Sequence, residues 1–255
     1  MNTDRLNAQL RANLDQVRAR MAEACRRVGR DPGEVRLVAV TKYADEHTAR
    51  ALRDAGVADL GENRVQQLAT RAAALGAAPA GLFDPLPADA APRWHMVGHL
   101  QRNKVRAWLS HSRILHALDS ERLAQEIEKQ AAGRDLVVDA FLELNLAGED
   151  SKTGAPIDQA APLAEAVGRC GHIRLHGLMG MPPYSPDPEA ARPYFARLRE
   201  LLEQLRRSGA VGPQCRHLSM GMSGDYPVAI EEGATFVRVG AALFAGIDLR
   251  RAASE

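Results

Sequence analysis

The residue with the clearest capacity for covalent chemistry is Lys42, which follows the short apolar run of residues 37–40. That run is rich in valine, comes soon after turn-forming residues at 31–33, and is typical of a strand buried on both faces of a parallel sheet. Ligands gather at the carboxyl ends of such strands, and a lysine that loses solvation there is favoured in its neutral, nucleophilic form. For this stretch taken alone, a lysine that only extends into solvent is the alternative.

Two glycine-containing segments further along the chain are suited to binding a phosphate group. Residues 219–224 read Ser-Met-Gly-Met-Ser-Gly, and Gly240 with Ala241 follows a later apolar run. Glycines let backbone N–H groups approach an anion, and the hydroxyls of Ser219 and Ser223 add donors. We call residues 219–224 with 240–241 the phosphate cup. Two ordinary glycine turns would have the same composition.

Arg238 lies in an apolar segment where a charge needs an explanation. Strand alternation puts Phe236, Arg238 and Gly240 on one face and the two intervening valines on the other. The valine face suits packing against helices, so Arg238 is predicted to point into the sheet's interior, where an unpaired charge is costly. The arginine therefore needs either a structural carboxylate partner or a polar ligand.

An amine nucleophile, a phosphate cup and an inward arginine together indicate pyridoxal 5′-phosphate (PLP) held by Lys42 as a Schiff base. A different class of protein, a Schiff-base aldolase acting on a phosphorylated sugar, would also use a lysine and a phosphate site. Purified protein distinguishes the two, because lysine-bound PLP is yellow and a free aldolase is colourless.

Strand-like and helix-like segments alternate regularly from residue 36 onward, which predicts parallel strands with right-handed crossovers. Eight such strands in about 250 residues favour a single-domain (β/α)8 TIM barrel, with a doubly wound open sheet as the alternative. We assign the whole chain, residues 1–255, to one PLP-binding domain with a helix at 1–30 and the barrel at 36–250. The strands are predicted at 36–40, 57–61, 94–98, 114–118, 136–145, 173–179, 216–220 and 235–240.

An extra helix precedes the first strand. Its apolar residues recur every three or four positions and form one stripe: Leu6, Leu10, Leu14, Val17, Met21, Cys25 and Val28. Further helices are predicted after each strand, including one that begins at Asn63, with Gln66 completing a capping box, and a last one that begins near Ala241.

Composition excludes several classes of partner. The chain has 33 basic and 32 acidic residues, a net charge of +1, and no domain-wide basic surface for nucleic acid or membrane. Its three cysteines are far apart, as expected of small core residues in a reducing compartment. Neither a signal peptide nor a membrane-spanning run is apparent, so we expect a cytoplasmic protein.

Six motifs at predicted strand ends resemble one family, the pyridoxal phosphate homeostasis (YggS-like) proteins, over nearly the whole chain. The motifs are Val-Thr-Lys42-Tyr, Gly61-Glu-Asn63, Trp94-His-Met-Val-Gly-His-Leu-Gln101-Arg-Asn-Lys104, His176-Gly-Leu-Met179, Leu218-Ser-Met-Gly-Met-Ser223 and Val237-Arg-Val-Gly240. The resemblance implies a barrel like the N-terminal domain of alanine racemases, with PLP on Lys42. It also implies a role in buffering PLP and delivering it to apoenzymes, without established catalytic activity. We expect the protein to be a monomer.

The resemblance assigns a role to each matching residue. Ser219, Gly240 and Ala241 would hold the phosphate, and Arg238 would face the pyridine nitrogen. Asn63, His95 and Met179 would line the pocket, and we also assign Met220 and Ser223 to cofactor binding. Many relatives have threonine where this chain has Ala241, so a hydroxyl contact to the phosphate is missing and only the backbone N–H remains.

An amino-acid racemase using PLP is the main alternative function. Racemisation needs a second base opposite the lysine. In barrel racemases that base comes from an additional C-terminal domain, whereas this chain ends shortly after the last predicted strand. We therefore expect a PLP carrier.

Overall fold

Eight parallel strands, each hydrogen-bonded to the next along the sequence, close into a barrel through pairing of the first strand with the last. The computed structural model describes residues 3–42, 44–76, 79–87, 91–148 and 153–247. The predicted (β/α)8 barrel is confirmed, and the open-sheet alternative is wrong because Arg36–Ala39 pairs in register with Phe236–Val239. The strands are β1 Arg36–Val40, β2 Asp59–Glu62, β3 Arg93–Met96, β4 Ile114–Leu118, β5 Val138–Leu144, β6 Ile173–Gly180, β7 His217–Ser219 and β8 Phe236–Val239.

Helices surround the barrel, and several of them begin with a 3-10 turn. The α-helices are α1 Thr3–Arg27, α2 Glu46–Asp54, α3 Val65–Ala74, α4 Val105–Trp108, α5 Glu121–Ala132, α6 Ala160–Gly168, α7 Arg192–Ser208 and α8 Tyr226–Glu231. The short 3-10 helices are Pro32–Glu34, Arg102–Lys104, Ile157–Gln159 and Pro188–Ala191. None of the described helices combines the length and apolar character needed to cross a bilayer.

The N-terminal helix α1 forms as predicted and packs between α8 and α2. It thereby occupies the place in the ring where a helix following β8 would lie. The helix that we predicted from Ala241 does not form over residues 241–247, which make turns instead. Asn13 on α1 binds this turn segment by donating from its Nδ2 to the carbonyl oxygens of Leu243 and Ala245, both at 2.9 Å.

The predicted capping box at Asn63 is wrong. Helix α3 begins at Val65, and Arg64 occupies its N-cap position without a side-chain hydrogen bond. Asn63 instead packs against the segment that follows β3, because a Cβ on Gly98 would lie only 2.6 Å from the Asn63 carbonyl oxygen. Gly98 is thus required for the close approach of these two strand ends.

A loop segment, residues 79–87, covers the N-terminal end of the barrel. Leu82 is fixed from two sides: Asp139 Oδ2 accepts its N–H at 2.7 Å, and Arg36 Nη1 donates to its carbonyl oxygen at 2.5 Å. The ring of Phe83 packs against that of His176, with centroids 5.1 Å apart. This end of the barrel is therefore closed by ordered contacts.

Candidate functional site

The segment that carries Lys42 is held at the C-terminal end of the barrel by a network of hydrogen bonds. Thr41 donates its backbone N–H to the Gly61 carbonyl at 2.9 Å and its hydroxyl to the Glu62 carboxylate. Arg71 donates to the same carboxylate and to the Ala44 carbonyl. Lys42, which is half-buried, therefore lies between two anchored neighbours.

Glu62 is the fully buried centre of that network. Burial raises the pKa of its carboxyl, and the hydrogen bond from Thr41 and the charge of Arg71 act in the opposite direction. Its second oxygen, Oε2, has no hydrogen-bond partner among the described residues. The carboxylate connects β1 to β2 directly beside the candidate nucleophile.

The phosphate cup is assembled by Ser223. Its Oγ accepts the backbone N–H groups of Gly240 and Ala242, both at 3.2 Å, and so joins the loops that follow β7 and β8. In the described part of the chain, the N–H groups of Ser223, Gly224 and Ala241 have no hydrogen-bond partner. Backbone donors of this kind suit an anion.

Close packing brings the cup against the strand that carries Lys42. A Cβ on Gly240 would lie 3.2 Å from the carbonyl oxygen of Val40, the last residue of β1. Gly221 has a φ of 91°, and a Cβ there would lie 2.6 Å from the Cβ of Ala229. Glycine is thus required at position 221 by both its backbone conformation and its surroundings.

Arg238 points into the barrel, as predicted from strand alternation. Its Nη1 donates to Ser219 Oγ at 2.7 Å and its Nη2 to the Gly180 carbonyl at 3.4 Å. The side chain forms no ion pair within the described ranges, so a structural carboxylate partner at contact distance is not observed. Burial lowers the pKa of the guanidinium to about 10, while the charges of Glu143 and Asp225 act to raise it.

His95 and Ser219 belong to one chain of hydrogen bonds inside the barrel. His95 Nε2 lies 2.9 Å from Asp59 Oδ1, and His95 Nδ1 lies 2.9 Å from His116 Nε2. His116 Nδ1 lies 2.6 Å from Ser219 Oγ, which also accepts from Arg238. Both ring nitrogens of His95 are therefore occupied by protein, and its predicted contact with a cofactor stays a prediction.

Met179, Met220 and Asn63 lie at strand ends but differ in accessibility. Met179 on β6 and Met220 after β7 are fully buried, whereas Asn63 is partly exposed. In register, Met179 aligns with Glu143 on one side and Ser219 on the other. The structure thus brings the ends of β1, β7 and β8 together at Val40, Ser223 and Gly240, while the cofactor contacts of the two methionines stay predictions.

Glu143 on β5 is a candidate residue that the sequence analysis missed. It is 2% exposed, its Oε1 accepts the Thr153 hydroxyl at 2.5 Å, and its Oε2 has no hydrogen-bond partner among the described residues. Burial raises the pKa of this carboxyl. Alternation along β5 puts Glu143 on the same face as Phe141, which packs in the interior. The strand alternation that predicted an inward Arg238 would therefore also have predicted an inward Glu143.

Comparisons with known proteins agree on one family. Residues 10–248 match the family model described as "Alanine racemase, N-terminal domain". The pyridoxal phosphate homeostasis protein of Aquifex aeolicus is 38% identical over 231 residues, which cover 91% of this chain and 95% of that protein. The protein of the same name from Pseudomonas aeruginosa is 37% identical, with 95% and 97% covered. The solved structure of Synechococcus elongatus PipY with PLP bound has a TM-score of 0.76 and 27% identity, and covers 92% of this chain and 99% of PipY.

Proposed function

The chain belongs to the family of the pyridoxal phosphate homeostasis proteins, which have the alanine racemase N-terminal domain fold, and we propose that it binds PLP covalently through Lys42. The physiological role that we propose is to buffer PLP in the cytoplasm and to deliver it to apoenzymes. The names of the relatives and the PLP bound in the PipY structure support this role. Three free cysteines, two of them buried, agree with a reducing compartment.

The single observation that carries the proposal is the contact between the lysine strand and the phosphate cup. Gly240 lies against Val40, two residues before Lys42, so an amine and a set of unbonded N–H groups share one end of the barrel. When bound, PLP supplies an aldehyde for the amine, a phosphate for the N–H groups and an electron-accepting ring. The residues present therefore fit the group.

The protein's own contribution at the nucleophile is orientation. Thr41 and Ala44 are held through Glu62 and Arg71, and this restricts the backbone on both sides of Lys42. A lysine side chain has many rotamers, and a fixed backbone reduces the entropy lost when its amine is held in one position. We propose Glu62 and Arg71 as the residues that set the direction of Lys42.

At the phosphate, the cup would act mainly through backbone donors. The N–H groups of Ser223, Gly224 and Ala241 are available, and Ser223 Oγ fixes the loops that present them. Ala241 offers no hydroxyl, and the Ser219 hydroxyl lies 2.6 Å from a histidine nitrogen inside the barrel. Affinity for the phosphate should therefore rest on the peptide groups.

We further propose that the protein holds PLP without using it for turnover. Reactions at an amino-acid α-carbon rely on a protonated pyridine nitrogen, which an acidic partner favours and a cation disfavours. Arg238 with a pKa of about 10 is a cation at neutral pH. With this guanidinium facing the ring nitrogen, PLP would be a weak electron acceptor, which suits storage.

Retention of PLP on a desalting column tests the binding role. The wild-type protein incubated with PLP should keep a visible absorption band, and Lys42→Ala should retain at least tenfold less cofactor because the covalent bond cannot form. Lys129→Ala changes an exposed lysine on α5 and serves as the matched control. Equal retention by the wild type and Lys42→Ala would contradict the proposal.

Exchange of amino-acid α-protons tests the absence of turnover. PLP-loaded protein is incubated with L-amino acids in deuterated water, and the α-proton signals are followed by NMR. We expect loss of these signals to stay near the rate in free PLP. Rapid, Lys42-dependent exchange with inversion to the D-form would instead establish a racemase.

A further inference from the structure

We propose that the hydrogen bonds linking Asp59, His95, His116, Ser219 and Arg238 run in a single direction, which commits the Ser219 hydroxyl proton to His116 and makes His116 a positioning residue for Arg238. The sequence analysis gave Ser219 a different role, as a phosphate ligand. The part of this inference that concerns bound PLP rests on the proposed function. The part that concerns proton positions does not.

The chain of hydrogen bonds crosses the interior of the barrel through five strands. Asp59 lies at the start of β2, where Arg93 Nε donates to its Oδ1 at 2.7 Å. From there the chain passes through His95 on β3, His116 on β4 and Ser219 on β7 to Arg238 on β8. We call this series the interior chain. Its members are all buried: Asp59, Arg93, His95, His116, Ser219 and Arg238.

With neutral imidazoles, the two ends of the interior chain determine its direction. A guanidinium can only donate, so Ser219 Oγ accepts from Arg238 and its own proton is available for His116 Nδ1. A carboxylate can only accept, so His95 Nε2 carries the proton shared with Asp59. For neutral rings, the contact between the histidines then runs from His116 Nε2–H to His95 Nδ1, and each imidazole carries its proton on Nε2.

Charge balance favours these neutral imidazoles. Arg93 already neutralises Asp59 through an ion pair at 2.7 Å, so a proton added to His95 would leave a net positive charge without a counterion. Burial lowers the pKa of His116 well below its ordinary value, and the charge of Arg238 acts in the same direction. A protonated His95 is the competing arrangement, because it would reverse the next two bonds and release the Ser219 proton.

This direction separates the role of Ser219 from that of the phosphate cup's backbone N–H groups. Because the Ser219 proton is directed to His116, Ser219 holds Arg238 through its oxygen and does not donate to an anion in the cup. His116 is itself fixed by stacking on Phe141, with ring centroids 4.5 Å apart. The orientation of Arg238 thus depends on His116, which acts through Ser219 and has no hydrogen bond to Arg238 itself in the described structure.

Proton positions can be read directly in the protein without cofactor. Long-range ¹H–¹⁵N NMR of histidine rings, assigned by His95→Gln and His116→Phe, distinguishes a protonated Nε2 from a protonated Nδ1. We expect neutral rings with the proton on Nε2 for both histidines. A proton on His116 Nδ1, or a doubly protonated His95, would overturn the proposed direction whether or not PLP binds.

A double-mutant cycle then tests the positioning role in PLP-loaded protein. His116→Phe keeps the stacked ring and removes both hydrogen bonds, and Ser219→Ala removes the hydroxyl. Each should lower PLP retention about tenfold, the equivalent of one hydrogen bond to a charged group, and each should shift the absorption maximum of bound PLP in the same direction. Because both changes break the same series, the double variant should also lose about tenfold.

Two results would contradict the positioning role. A loss of about a hundredfold in the double variant would mean that Ser219 acts independently, as a direct phosphate donor. An unchanged absorption maximum in His116→Phe would mean that Arg238 does not depend on His116. Ser219→Thr retains a hydroxyl oxygen at the same position and should restore the wild-type absorption maximum.

Discussion

The two ends of the barrel differ in how they pair buried charges, although the C-terminal end does contain one buried ion pair, Glu62 with Arg71. At the N-terminal end, Arg93 pairs with Asp59 at 2.7 Å and His176 with Asp139 at 2.7 Å, and the loop carrying Leu82 covers them. At the C-terminal end, Arg238 forms no ion pair among the described residues.

The polar groups at the C-terminal end include others without protein partners in the described ranges. Glu143 has one unbonded carboxylate oxygen there, and N–H groups of the phosphate cup likewise have no partner. An unsatisfied buried polar group such as the Glu143 oxygen is costly, and a fold retains it where a ligand satisfies it. Gly224 and Ala241 are exposed, so their N–H groups are accessible to a ligand. The difference therefore indicates that one end of the barrel contributes stability and the other end binds, which is the usual arrangement in TIM barrels.

The largest expected effect is on folding at the N-terminal end. Arg93→Met removes the cation beside buried Asp59 and should lower the free energy of unfolding by about 3 kcal/mol. Arg26→Met disrupts an exposed pair with Glu23 on α1 and should change it by less than about 0.5 kcal/mol. Urea denaturation of the two variants measures the difference, and equal values would remove the distinction between buried and exposed pairs.

Arg238→Met should give the opposite pattern. Without cofactor, the loss of an unpaired buried cation should change the free energy of unfolding by less than about 1 kcal/mol. PLP retention should nevertheless fall at least tenfold, because a charge-assisted contact to the ring is lost. If Arg238→Met instead unfolds as readily as Arg93→Met, the guanidinium is a structural group and the contrast between the two ends fails.

Glu143→Gln should alter the pH dependence of stability. Burial raises the pKa of this carboxyl in the folded protein, so the folded state binds the proton more tightly than the unfolded state. The associated stability is present at low pH and is lost as the pH rises through the folded pKa. The amide side chain of the variant cannot ionise, so its stability lacks this dependence.

Above that pH, Glu143→Gln should be more stable than the wild type by about 1 kcal/mol, and the difference should shrink in acid. Thermal denaturation over a pH series measures this difference. The exposed Glu203→Gln on α7 is the control and should follow the wild-type curve. A wild-type advantage that grows with pH would mean that ionised Glu143 is stabilised by its surroundings.

The smallest expected effect is at the phosphate cup. Ala241→Thr adds a hydroxyl beside an unbonded N–H group and should slow PLP dissociation by roughly two- to fivefold, as expected for one added hydrogen bond. Dissociation measured by transfer of PLP to an apoenzyme reports the change. If dissociation is unaltered, the phosphate does not lie next to residue 241.

Much of the fold and part of the site could be predicted because both follow from local periodicity. Alternation within β8 was sufficient to direct Arg238 inward, and the apolar run before Lys42 was sufficient to put the lysine at a strand end. The last predicted helix failed for a non-local reason: α1, more than 200 residues earlier in the chain, takes its place, and Asn13 binds the turn instead.

The interior chain could not be predicted from local sequence patterns, because its contacts also join residues that are distant in the sequence. The hydrogen-bond partner of Ser219 is His116, which is 103 residues earlier in the sequence. His95 contacts the Asp59 carboxylate on the neighbouring strand. These contacts depend on strand register and on closure of the barrel. The sequence motif suggested that the Ser219 hydroxyl binds a phosphate, but in the folded protein this hydroxyl lies within hydrogen-bonding distance of His116 inside the barrel.

The measurement that tests the central claim most directly is the identity of the lysine that binds PLP. The chain contains only four lysines, Lys42, Lys104, Lys129 and Lys152, so reduction with borohydride followed by peptide mass mapping has an unambiguous result. The account predicts that the added mass of reduced PLP is confined to the peptide containing Lys42. Modification mainly at any of the other three lysines would contradict it.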